Sequence, residues 1–257
     1  MSAVRALVLG GTGEVGRAVV RQLVTRGARV AFTYHSRVQV AQELTGELVA
    51  GQGGAPIALP LDATSVASLT ETVARAAREL GGIDALVHAV AVGITSGPAG
   101  AHRGPTEHHR ITEVDEAAWD RMQEVNVKSA FFALQRVIPV MQRCGGGNVL
   151  LVASIDGVKP VPAPVHFAVT RGSLAGLTRS AAKELGPDRI KINLVCPGLL
   201  DGGGVSRTLP LALRAEYRKH CGLGREAQPD EVARMVTWMA CENTYVTGQL
   251  IFLDGAL

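Results

Sequence analysis

Gly10-Gly11-Thr12-Gly13-Glu14-Val15-Gly16 follows the apolar run Ala6-Leu7-Val8-Leu9 and precedes a stretch whose apolar residues recur every three or four positions. Glycines placed there permit a tight strand-to-helix turn and let a phosphate approach the N–H groups at the helix start. Out of context such a run is only a tight turn. Between a strand and a helix it reads as a dinucleotide cradle, in which Gly10, Thr12, Gly13, Glu14, Val15 and Gly16 lie against the ligand.

The rest of the chain repeats this unit. Short β-branched runs at about 4–9, 28–33, 56–60, 83–89, 147–153, 190–195 and 249–253 alternate with helical patterns at 14–26, 38–50, 65–80, 116–143, 164–186 and 229–241. Alternation of this kind builds βαβ units. It predicts a Rossmann-type α/β fold, a doubly wound seven-stranded parallel sheet in a single domain spanning 1–257. Two segments break the pattern, 92–112, rich in Gly and His, and 199–213, which contains Asp201-Gly202-Gly203-Gly204. Both follow strand C-termini, where doubly wound folds bind ligands, so both are read as substrate loops.

With 257 residues, 47% of them hydrophobic, the chain is long enough to bury one sizeable core. A formal charge of +3 is dispersed, and no basic run predicts a nucleic-acid partner. No apolar stretch approaches the roughly 20 residues that span a bilayer, and the N-terminus carries no export signal. Cys144, Cys196, Cys221 and Cys241 lie far apart, suggesting neither disulfides nor metal ligation. The expectation is a reduced, cytoplasmic protein without metal.

The second strand ends Phe32-Thr33-Tyr34-His35-Ser36-Arg37. An NAD-preferring site usually places an acid here against the ribose 2′-hydroxyl. Ser36 and Arg37 instead suit a 2′-phosphate, which favours NADP(H) over NAD(H), although a solvated surface arginine reads the same way. Asp62, followed by Ala63 after the third strand, could accept a hydrogen bond from an adenine amino group or cap the next helix.

Asn126-Val127-Lys128-Ser129, Ser154, Cys196-Pro197-Gly198, Leu223-Gly224-Arg225, Tyr245-Val246-Thr247-Gly248-Gln249 and Asp254-Gly255 together carry a resemblance. The chain resembles the short-chain dehydrogenase/reductase family over its whole length, most closely the branch holding 3-oxoacyl-ACP reductases. The resemblance implies nicotinamide binding, a homodimer or homotetramer, and cofactor contacts at His88, Ala89, Pro197, Gly198 and Arg171. It matches Asn126 to the asparagine that holds a proton-relay water and Ser154 to the serine that polarises the substrate carbonyl. Where the family has Tyr-x-x-x-Lys, this chain reads Phe167-Ala168-Val169-Thr170-Arg171. The wider spacing of enoyl-ACP reductases falls on Pro164, and the three tyrosines, Tyr34, Tyr217 and Tyr245, all lie elsewhere. His88-Ala89-Val90-Ala91 also departs from the family's Asn-Asn-Ala-Gly, and Glu14 stands where the branch has glycine.

Hydride reduction of a ketone produces an alkoxide that needs a proton, and a phenyl ring has none to give. Loss of a positioned general acid costs about 10²–10⁴ in rate. Candidate replacements are His166, His88, Asp156, the loop histidines His102, His108 and His109, and Tyr217 if it swings over a substrate. Cys196 reads as a small buried residue.

Three functions fit. One is an NADP(H)-dependent reductase of an acyl- or polyketide-type substrate, free or carrier-bound, with enoyl reduction better suited than ketone reduction. The second is a non-redox isomerase, dehydratase or cyclase using Ser154, Asn126 and a histidine in an inherited pocket. The third is a catalytically silent subunit forming a heteromer with an active relative.

Overall fold

The computed structural model describes residues 3–49, 54–93, 110–161, 163–203, 206–207 and 209–257. Seven strands, β1 (Arg5–Leu9), β2 (Arg29–Tyr34), β3 (Ile57–Pro60), β4 (Ala85–His88), β5 (Gly147–Val152), β6 (Ile190–Pro197) and β7 (Leu250–Leu253), form one sheet in the order β3-β2-β1-β4-β5-β6-β7. Every pairing is parallel. The connection reverses direction between β1 and β4, which opens a crevice at their C-terminal ends.

Both faces of the sheet are covered, and for this reason its strands read as continuous apolar runs. Leu7, Leu9, Leu86, Val149, Leu151, Ile192 and Leu194 point to one side, against α3 (Val66–Leu80), α5 (Ser129–Cys144) and α6 (Val165–Leu185). Their neighbours Ala6, Val8, Val87, Leu150, Val152 and Val195 point to the other, against α1 (Glu14–Thr25), α2 (Val38–Leu48) and α8 (Pro229–Glu242). The period-two alternation of a strand thus divides the core into two layers.

The expected helix at 116–143 is interrupted. It consists of α4 (Glu116–Gln123), a π-turn over Glu124–Lys128, and α5. The segment 199–213 runs into α7 (Leu211–His220). Residues 94–109 of the first substrate loop, with His102, His108 and His109, lie outside the described residues. Among those described, no helix is long and apolar enough to cross a membrane.

Candidate active site

The C-terminal ends of β1, β2, β4, β5 and β6 bring the sequence-predicted residues to one edge of the sheet. At β1 the chain turns at Gly10, whose φ of 82° favours glycine, and the Gly10 N–H donates to Thr33 Oγ at 2.9 Å. The Gly13 N–H closes the turn on the Gly10 carbonyl at 3.0 Å. A Cβ on Gly16 would lie 2.1 Å from that carbonyl oxygen, so the helix can start this close to the strand only with glycine there. Gly13 is the N-cap of α1 and supplies no side-chain acceptor, which leaves the first-turn N–H groups open to an anion.

Glu14 would repel phosphate if its charge stood alone. It is paired with Arg17 at 2.6 Å and with Arg207, from the second substrate segment, at 2.9 Å. Arg37 reaches across the loop and donates to the Thr12 carbonyl at 3.3 Å, while Ser36 beside it is exposed. Neither Thr33 nor Arg207 stood out in the sequence, because their partners lie 23 and 193 residues away.

Asp62 does not cap α3. Ser65 does, accepting from the Ser68 N–H, and Asp62 instead accepts from the Thr64 N–H at 2.9 Å and hydroxyl at 2.7 Å, bonds that lower its pKa. With Ser65 nearer the helix, Asp62 closes its own turn.

His88, at the end of β4, is buried, and its Nε2 lies 2.9 Å from Ser129 Oγ. Since the Ser129 hydroxyl donates to the Val125 carbonyl at 2.5 Å, Nε2 carries the imidazole proton and donates to Oγ. Nδ1 has no partner. Burial first, and then the charge of Arg171, push the imidazole pKa down to about 4. At neutral pH His88 is therefore neutral, which removes it as a ready proton donor.

Asn126 is fully buried in the π-turn. Its Oδ1 accepts from the Val92 N–H at 2.9 Å, and its Nδ2 donates to the Val92 carbonyl at 3.2 Å and to Thr170 Oγ at 3.3 Å. The carboxamide thus fastens the start of the first substrate loop to α6. A π-turn is a frequent device for aiming one side chain at a functional site.

Ser154, just past β5, has a buried hydroxyl with no hydrogen-bond partner. Helix α6 contributes His166, Phe167, Thr170 and Arg171, all buried. The Arg171 guanidinium stacks on the Phe167 ring 4.5 Å from its centroid, and Nε and Nη1 have no hydrogen-bond partner. Burial lowers its pKa to about 10, opposed by Asp156 and Cys196, so it keeps its charge at neutral pH. Cys196 is pushed up to about 12 by burial and stays a neutral thiol. Tyr217 is held, since its hydroxyl accepts from the Leu199 N–H at 2.9 Å just beyond Pro197-Gly198. Its ring braces that turn instead of swinging over the pocket. A recess of about 640 Å³, lined by Arg5, Arg136 and Cys144, opens at the opposite edge of the sheet and touches none of these residues.

The family model described as enoyl-(acyl carrier protein) reductase matches residues 12–257. The chain is 28% identical to the 3-oxoacyl-[acyl-carrier-protein] reductase FabG of Thermotoga maritima, over 98% of this chain and 96% of that one. It is 30% identical to a 3-alpha-(or 20-beta)-hydroxysteroid dehydrogenase of Mycobacterium tuberculosis, over 97% and 87%. Among solved structures, a blue fluorescent protein from a metagenomic library in complex with NADPH superposes with a TM-score of 0.85 at 28% identity, over 99% of this chain and 97% of that one. A glycine cradle at β1, a serine at the end of β5, a helix across from it and this whole-length similarity together place the chain in the short-chain dehydrogenase/reductase family of oxidoreductases.

Proposed function

We propose that this chain is an NADP(H)-dependent reductase of an acyl- or polyketide-type substrate, working without the family's tyrosine acid and better suited to an enoyl than to a ketone group. The observation that carries the reading is the pair of unsatisfied, buried donors, Ser154 Oγ and the Arg171 guanidinium, at the same sheet edge as the glycine cradle.

The residues fit a nicotinamide dinucleotide. A Cβ at Gly10 would strike the Ala89 backbone and one at Gly16 the Gly10 carbonyl, so only glycine lets the loop take this shape, and α1 offers uncapped N–H groups to a pyrophosphate. Arg37, which makes no ion pair among the described residues, would neutralise a 2′-phosphate beside Ser36, with Thr12 and Val15 lining the loop and Asp62 and Ala63 the adenine side. His88, Ala89, Pro197 and Gly198 would border the nicotinamide half. When bound, that group supplies hydride.

The chain's own residues do the rest. Ser154 donates a hydrogen bond to the substrate carbonyl oxygen, and Arg171 stabilises the charge that develops there. Phe167 offers no proton, and neutral His88 has none spare on Nδ1. An enolate held by Ser154 and Arg171 can take its proton later at carbon, whereas an alkoxide requires one at oxygen. Asn126 keeps the first substrate loop attached above the pocket. His166, adjacent to Phe167, remains the proposed proton source for a ketone. In this reading the chain acts as a homodimer or homotetramer on a small or carrier-bound substrate.

Titration with NADPH and NADH, followed by nucleotide fluorescence, tests the reading, with Arg37→Ala as the variant. NADPH binding that weakens about tenfold or more while NADH binding holds is the expected result. Binding of neither nucleotide by the unmodified protein would overturn the reading in favour of non-redox chemistry.

A further inference from the structure

Helices α3 and α5 pack side by side on the sheet, and the recess of about 640 Å³ opens between them, at the edge remote from the glycine loop. Four arginines line it: Arg5 from β1, Arg78 from α3, and Arg136 and Arg143 from α5. Among the described residues, no acidic side chain lines it. Arg5 is offset from behind by Asp84, at 2.8 Å and 2.6 Å. Arg136 is held by α3, its Nε donating to Thr70 Oγ at 2.8 Å. Among the described residues, Arg78, Arg136 and Arg143 make no ion pair.

A cation in the last turn of a helix suits the negative end of its dipole, which accounts for Arg78 on α3 and Arg143 on α5. It does not account for Arg136, about two turns earlier, or for Arg5 on a strand, both lining the same recess. Guanidinium groups gathered around one concavity repel one another and focus a positive field inside it. Val73 and Val140 add apolar wall, and the volume falls within the roughly 300–1,000 Å³ of small-molecule sites. A single carboxylate occupies one guanidinium fork. Forks arriving from β1, α3 and α5 instead suit the several oxygens and charges of linked phosphates.

We infer that this recess binds an organic polyphosphate, its phosphates among Arg78, Arg136 and Arg143 and its organic body against Val73 and Val140. The site is separate from the glycine loop and independent of the reductase reading. Cys144 reports on it. A Cβ on Gly82 would stand 2.7 Å from Arg5 Cζ and 2.8 Å from Cys144 Sγ, so the thiol lies beside the arginines.

The test uses the full chain, with and without NADPH, and calorimetry with ATP and inorganic triphosphate as probes. ATP is expected to bind more tightly than triphosphate, and NADPH to displace neither. Arg78→Gln combined with Arg143→Gln should weaken both probes about tenfold or more while NADPH binding is unchanged. Should that variant not fold, the unmodified chain still decides the matter. ATP should slow maleimide labelling of Cys144 and leave Cys241, in the other core layer, at its ordinary rate. Binding of neither probe, no protection of Cys144, or displacement by NADPH would overturn the proposal, the last by assigning the phosphates to the glycine loop. ATP binding no tighter than triphosphate would overturn the assignment of an organic body. A chain that protects Cys144 with ATP but binds neither NADPH nor NADH would remove the reductase reading and leave this site standing.

Discussion

Arg171 and Phe167 stand one helical turn apart on α6, with the guanidinium 4.5 Å from the ring centroid. The pair provides a buried positive charge stacked on an aromatic face, but no hydroxyl acid in place of the family's tyrosine.

Replacing both residues, Phe167→Tyr with Arg171→Lys, is therefore expected to raise NADPH-dependent ketone reduction by about 10², the lower end of what a positioned acid contributes. The steady-state rate on a β-ketoacyl thioester measures it. A double variant that folds, binds NADPH and shows no gain would place the missing acid somewhere other than position 167.

Ser154→Ala removes the one hydroxyl at the end of β5 that is buried without a partner. The turnover rate should fall by about 10², as on losing one donor to a developing oxyanion, while nucleotide affinity stays unchanged. Equal losses in turnover and in NADPH affinity would assign Ser154 to cofactor placement instead.

His88 gives the stability a pH dependence of definite sign. An unfolded chain protonates its imidazole near 6.5, whereas burial and Arg171 delay this in the native state to about 4. Between those values the unfolded state binds a proton that the native state does not, so stability falls as pH drops through the window, by at most about 3 kcal/mol. Urea unfolding at pH 7 and pH 4.5 should show the extra loss in the wild type and not in His88→Gln. Parallel slopes for the two proteins would contradict the assignment.

Gly16→Ala places a methyl group 2.1 Å from the Gly10 carbonyl oxygen, a backbone atom with little room to give. The expected result is a lower melting temperature together with loss of NADPH binding by fluorescence. A variant that binds normally would show that the β1–α1 turn opens without cost.

How much of this was legible beforehand depended on the range of each interaction. Gly10 to Gly16 and the alternating apolar runs report local geometry, and they led directly to the seven parallel strands and to the sheet edge where doubly wound folds bind ligands. The tautomer of His88 needed Ser129, 41 residues away. The neutralisation of Glu14 needed Arg207, and the fixing of Tyr217 needed the Leu199 N–H, contacts made only when separate loops meet. Of the two roles the sequence left open for Asp62, the cap goes to Ser65, because two residues within one short turn are both good caps. The π-turn left no trace in the pattern of 116–143, since apolar residues recur at three- and four-residue spacing on both sides of it.

The surplus residue of the π-turn makes the stretch around Asn126 a natural place to separate helix content from helix phase. Deleting one residue between Glu124 and Lys128 would let α4 and α5 merge into a regular helix, and far-ultraviolet circular dichroism would hardly register it. Yet every side chain on one side of the junction would rotate by about 100° relative to the other, carrying the carboxamide away from Val92 or the Ala133, Val137 and Met141 stripe away from the core. Alignments of such chains should therefore tolerate insertions and deletions almost anywhere sooner than here.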